Sequence, residues 1–126
     1  MKLPTPLLAL PLLLALGAGA DAACVYPRAP QALPNGSVAT KDEMIAAQGE
    51  VKTYSKAIQE VYLPCLEQEK LAAIAALDPA DPNFATQKST IETLQALKHN
   101  AALDELQSVA DRWNQERKAF TAAQKK

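Results

Sequence analysis

The chain has 126 residues and almost balanced charge, 13 Lys and Arg against 14 Asp and Glu, which is room for one domain at most. No clustered basic patch of the kind that neutralises a phosphate backbone is visible apart from Lys125-Lys126 at the end, so no nucleic-acid partner is expected. One histidine and four glycines leave little material for a multi-ligand metal centre or a phosphate-cradling loop, and no GxSxG, HExxH, Walker or GxGxxG motif occurs.

The first stretch, MKLPTPLLALPLLLALGAGADAAC, places a lysine before a leucine-rich run and then small residues. This is the layout of a secretory signal peptide over residues 1–22, with cleavage near Ala20 or Ala22. Its apolar run, Leu7 to Leu16, is well short of the roughly 20 residues needed to cross a bilayer. No membrane span is expected.

Two cysteines, Cys24 and Cys65, remain after cleavage, and an even pair in an exported chain predicts a disulfide. Closing a loop of about 40 residues stabilises the fold by roughly 4 kcal/mol in the chain-entropy model. A second reading stays open, an outer-membrane lipoprotein anchored through Cys24. Asp21 stands where such a site favours leucine, however, and lipidation leaves Cys65 unpaired. The spacing is not CxxC, which argues against redox catalysis.

Residues 23–39 carry Pro27, Pro30 and Pro34, then the turn pair Asn35-Gly36. They predict an extended Pro-rich arm. A helix from Thr40 to Cys65 is about 38 Å long, while the sixteen residues from Cys24 to Thr40 reach about 55 Å when extended. The arm can therefore run back along the helix, bringing Val25, Tyr26 and Pro27 close to Tyr62 and Leu66.

Thr40 with Glu43 forms a capping box that opens a helix over 40–77. Met44, Ala47, Val51, Tyr54, Ile58, Val61 and Cys65 recur at spacings of three and four, predicting one buried stripe. Pro64 removes a backbone donor and crowds the carbonyl of Glu60, so a kink is expected near it. A loop over 78–81 follows, with Asp81 as N-cap and Pro82 as the first residue of a second helix, 82–124. Phe84, Ile91, Leu94, Leu97, Ala101, Leu103, Leu106, Val109, Ala110, Trp113 and Phe120 continue its apolar pattern. The fold class is all-α, a long bent two-helix hairpin with the extended arm. Breaks at Pro64 and near Asn100 give the alternative, a three- or four-helix bundle.

Chemistry finds little support. His99 has no second histidine beside it, and pairs such as Asp104 and Glu105 sit on adjacent positions that point apart on a helix surface. No catalytic residue, cofactor or metal is assigned, and the chain is not expected to be an enzyme. Two helices and an arm bury little, so apolar surface is left over for an interaction, by self-association or with another exported protein. The candidate residues are Tyr26, Tyr54, Tyr62, Trp113 and Phe120. The competing reading is a small hydrolase or ligand carrier built from Tyr54, Tyr62, His99 and Trp113.

The runs Cys24-x-Tyr26-Pro27-x-x-Pro30, Ala39-Thr40-Lys41-x-Glu43-Met44 and Tyr62-Leu63-x-Cys65-Leu66, with Pro34-Asn35-Gly36 and Val51-Lys52-x-Tyr54 between them, resemble an uncharacterised family of small exported helical proteins of proteobacteria. The resemblance covers roughly residues 24–70. It implies a periplasmic location and a helical fold, and it implies no mechanism.

Overall fold

A computed structural model describes residues 23–126; the signal-peptide reading of residues 1–22, with its cleavage near Ala20 or Ala22, lies outside the described residues. After the extended arm the order is α1, Lys41–Lys56; a π-helical segment, Ala57–Tyr62; α2, Leu63–Ala75; and α3, Phe84–Gln124. All regular structure among the described residues is helical.

The start of α1 follows from its cap. Glu43 N–H donates to Thr40 Oγ1 at 3.2 Å and Thr40 N–H donates to Glu43 Oε2 at 2.7 Å, satisfying two donors exposed at the first turn. The Thr40 backbone bond is the main cause of a lowered Glu43 carboxyl pKa.

Pro64 acts as expected on the chemistry and differently on the geometry. Lacking an N–H, and with a ring that crowds the carbonyl four residues back, it is incompatible with an ordinary α-helical turn before it. The chain widens that turn into the π segment, in which Leu63 N–H reaches Ile58 O, five residues back. The helix therefore bends without stopping. The wider turn also shifts the buried stripe, which runs Met44, Ala47, Tyr54, Ile58, Tyr62 and Leu66. Val61, expected on the stripe, is 66% exposed, and Cys65 turns toward the arm.

The connection between the long helices spans 76–83. Asp78 Oδ1 accepts from Ala80 N–H at 2.9 Å and Asp81 Oδ1 from Asn83 N–H at 2.7 Å. Phe84 N–H bonds Asp81 O in a tight turn, so α3 begins two residues later than the expected 82. It then runs unbroken through Lys98-His99-Asn100 to Gln124. Its contacts with α1, the π segment and α2 make the molecule a bent hairpin, and the bundle alternative is corrected by the absence of a second break.

Two apolar clusters fill the seam. Tyr54, Ile58, Tyr62, Leu66, Ala102 and Val109 form one, with Cys24, Ala29 and Leu106 packed against it. Met44, Ala47 and Trp113 form the other, covered by Leu33, Ala39 and Phe120. The arm thus contributes to both.

Candidate interaction surface

The arm is fastened at each end. Cys24 and Cys65 are joined by a disulfide, with Cα atoms 5.8 Å apart. This engages the Cys24 sulfur, which is then not free to carry a thioether-linked lipid. Farther along, Gly36 N–H donates to Glu116 Oε2 at 2.6 Å. The reason for glycine here is space, because its φ is negative. A Cβ at Gly36 would overlap the Glu116 carbonyl oxygen and lie 2.9 Å from Phe120 N.

Between these ends the arm meets the aromatic residues. The Tyr26 ring stands edge-to-face against Tyr62, centroids 5.0 Å apart, so the expected antiparallel course of the arm is the one observed. Tyr26 and Tyr54 hydroxyls lie 3.1 Å apart. Burial first, and this bond second, push the Tyr54 phenol well above its ordinary pKa. Tyr54, Tyr62 and Trp113 are all buried, Phe120 is half-buried and Tyr26 is partly exposed. These five candidates make up the seam and its edge and do not form a shared outer face.

Glu69 on α2 gathers three elements. Lys98 Nζ donates to it at 2.7 Å, Gln95 Nε2 at 2.9 Å and Cys24 N–H at 3.5 Å. The Lys98 bond leads, with Gln95 next, in holding its carboxyl below the usual range. A depressed folded pKa means stability that is present above the unfolded value of 4.5 and lost as pH falls through the folded value. The expected result is a thermal midpoint that declines below that pH in the native chain and declines less in Glu69→Gln. Midpoints read by circular dichroism across the acid range check this, and parallel curves for the two proteins contradict it.

The apolar residues expected to line α3 divide into three sets, the third being Leu103, 39% exposed, and Ala110. Taking 100° per residue, Gln95, Ala102, Leu106, Val109, Trp113 and Phe120 share the seam. Leu94, Leu97 and Ala101 lie on a flank roughly 80 to 140° away on that spacing, and Leu94 and Leu97 are 53% and 61% exposed. Their place in the buried pattern is corrected accordingly. The opposite flank carries Ala96, Asn100, Leu103, Gln107, Ala110, Asn114, Lys118, Thr121 and Lys125.

Three hollows open on that second flank. One of about 390 Å³ lies between α2 and α3, lined by Leu63, Glu67, Lys70, Glu92, Ala96 and His99. Another joins Lys41, Ile45 and Gln48 of α1 to Trp113 and Thr121. The third, toward the end of α3, is lined by Asn114, Arg117, Lys118, Thr121 and Lys125. His99 and Trp113 line different hollows, and Tyr54 and Tyr62 line none of these three. The constellation considered for a hydrolase or carrier is not brought together.

No protein-family model, curated protein or solved structure matches this chain. Among the described residues no group of three His, Cys, Asp or Glu side chains is disposed to hold a metal ion, and no helix is long and apolar enough to cross a membrane.

Several structural roles escaped sequence reasoning. Gly36 reads as a turn signal, and nothing local announces that a helix backbone passes against it. Glu69 reads as a solvated carboxylate, because its three donors lie 26, 29 and 45 residues away.

Proposed function

We propose that this chain is a non-enzymatic periplasmic protein that works by holding an apolar segment of another exported protein against the flank of α3 formed by Leu94, Leu97 and Ala101. The observation that supports this reading is the exposure of two leucines one turn apart on a helix whose seam is already filled by other residues. Single exposed leucines are ordinary; an aligned pair at i and i+3 with Ala101 continuing the row is the pattern that receives an apolar strip. The Cys24–Cys65 bond favours an oxidising compartment. The reading also draws on the length of α3, whose 41 residues present a rigid rod about 60 Å long.

The test is aggregation of a heat-unfolded enzyme in oxidising buffer, followed by light scattering with the disulfide-bonded protein present. Suppression is expected from the native chain and its loss from Leu94→Glu/Leu97→Glu. Because both leucines are exposed, that variant keeps its helicity and changes stability by less than about 0.5 kcal/mol per site. No suppression by the native chain, or equal suppression by the folded variant, overturns the reading.

A further inference from the structure

The arm is fastened unequally along its length. Its second half is built into the fold: Gly36 is buried with its N–H on Glu116 Oε2 at 2.6 Å, and Val38 and Ala39 N–H both donate to Asn35 O. Leu33 and Ala39 pack there on the cluster of Met44, Ala47 and Trp113. The first half has little of this. From Val25 to Ala32 no backbone group is hydrogen-bonded to a helix among the described residues, and Pro27 and Pro30 have no N–H to offer. Apart from the disulfide, this half is held by the Tyr26 to Tyr54 phenol pair, the Tyr26 edge on Tyr62 and the packing of Cys24 and Ala29. The remaining contact, Cys24 N–H to Glu69, is long at 3.5 Å.

Nor does this half fill the space it crosses. A hollow of about 720 Å³ opens between Pro27, Arg28 and Pro30 on the arm and Gly49, Glu50 and Thr53 on α1, and a Cβ at Gly49 would meet nothing within 4 Å. Val25 is 84% exposed, and Arg28 is exposed as well. Between the two halves the chain bends at Gln31, and Gln31 and Ala32 are both exposed. Rotation at that point displaces no buried side chain.

We infer that residues 23–31 form a strap latched by the Cys24–Cys65 bond and hinged at Gln31-Ala32, so that reduction of the bond releases it and uncovers Tyr54 and Tyr62. These two rings are 3% and 7% exposed with the strap in place. Tied at both ends, the strap has little freedom to lose. Tied at one, it must give up backbone freedom at every residue in exchange for a phenol bond that water replaces and a single ring contact. The helices stay paired on release, because α3 touches α1, the π segment and α2 directly. Trp113 lies in the cluster that the hinged half continues to cover.

The reductant is a dithiol. One of its thiolates attacks a sulfur of the bond and displaces the other as a thiolate, and its second thiolate then resolves the mixed disulfide. Two electrons and two protons pass to the chain, which keeps Cys24 and Cys65 as thiols, and the reductant leaves as its own disulfide. Both cysteines are only half-buried, which leaves the bond open to attack in the folded chain.

This inference goes beyond the reading of the chain as a holding protein and does not rest on it, since Leu94 and Leu97 take no part. The experiment is titration of the disulfide-bonded protein with dithiothreitol, well below its unfolding midpoint, followed by amide NMR, circular dichroism and Trp113 fluorescence. The reduction rate is expected to rise in proportion to dithiothreitol. The amides of residues 23–31 are expected to move to random-coil shifts and the ring signals of Tyr54 and Tyr62 to shift, with helicity and Trp113 emission unchanged. Cys24→Ser/Cys65→Ser is expected to reproduce the released state without reductant, and reoxidation of the native chain to restore the latched one. Native arm shifts after reduction, or in the double-serine variant, overturn the inference. So does a rate that saturates at the unfolding rate, or a red shift of Trp113 with loss of helicity, since the bond is then a staple of the whole fold. None of these readouts involves the aggregation assay.

Discussion

Replacing Cys24 and Cys65 together by alanine is expected to lower the unfolding midpoint by about 15 to 30 °C. The bond closes a loop with a sequence separation of 41, for which the chain-entropy model gives about 4 kcal/mol. In a domain of this size about 1 kcal/mol moves the midpoint by about 4 to 8 °C. That is a large part of the 5 to 15 kcal/mol that an ordinary domain possesses. The loss is concentrated where the arm begins, because Cys24 and Ala29 pack on the cluster of Tyr54, Ile58, Tyr62 and Leu66. Scanning calorimetry of the native and double-alanine proteins measures it, and intact mass with alkylation verifies the starting point, with two thiols appearing only after reduction. A shift of only a few degrees contradicts the assigned role of the bond.

The second large effect belongs to the other end of the arm. Gly36→Ala is expected to destabilise by about 2 to 3 kcal/mol, in the range of overpacked sites. The added Cβ meets the backbone of Glu116 and Phe120, which cannot swing aside as a side chain would. The arm has to lift, stretching the Gly36 to Glu116 hydrogen bond and drawing Leu33 and Ala39 off the cluster that holds Trp113. A red shift of Trp113 fluorescence is therefore expected together with the fall in stability. Gly49→Ala supplies the control. Nothing lies within 4 Å of a Cβ there, the residue is inside α1, and alanine is favoured over glycine in a helix by about 1 kcal/mol. Opposite signs for the two substitutions in denaturant unfolding are expected; equal signs contradict the packing argument.

The legible parts of this molecule were those governed by neighbours in the chain. Thr40 and Glu43 are three residues apart, and their reciprocal bonds are where the pattern places them. The reach of the arm and the pairing of the cysteines followed from chain length and parity alone. Val61 and Leu94 show why the rest was harder. A periodic pattern predicts that apolar residues share a face, but it does not include the wider turn that Pro64 imposes, which moves the stripe from Val61 to Tyr62. Nor does it decide which of two overlapping rows on an alanine-rich helix meets the partner. On α3 the seam row wins because Leu106, Val109 and Trp113 oppose the filled face of α1 and α2. Leu94 and Leu97 lie to one side of it. Two helices alone bury little; the arm supplies further cover, and Tyr54, Tyr62 and Trp113 lie buried in the clusters it packs against.

The disulfide also gives the chain a topology that its helices alone do not have. From Cys24 through the arm, α1, the π segment and the first residues of α2 to Cys65, the backbone is a closed ring, and the rest of α2 and α3 form a tail in which residues 76–83 are the single covalent link to α3. One peptide cleavage inside the ring, at exposed Arg28 for instance, opens it and releases no fragment. A single cleavage between Ala76 and Asn83 frees all of α3, which then remains by packing and side-chain bonds alone.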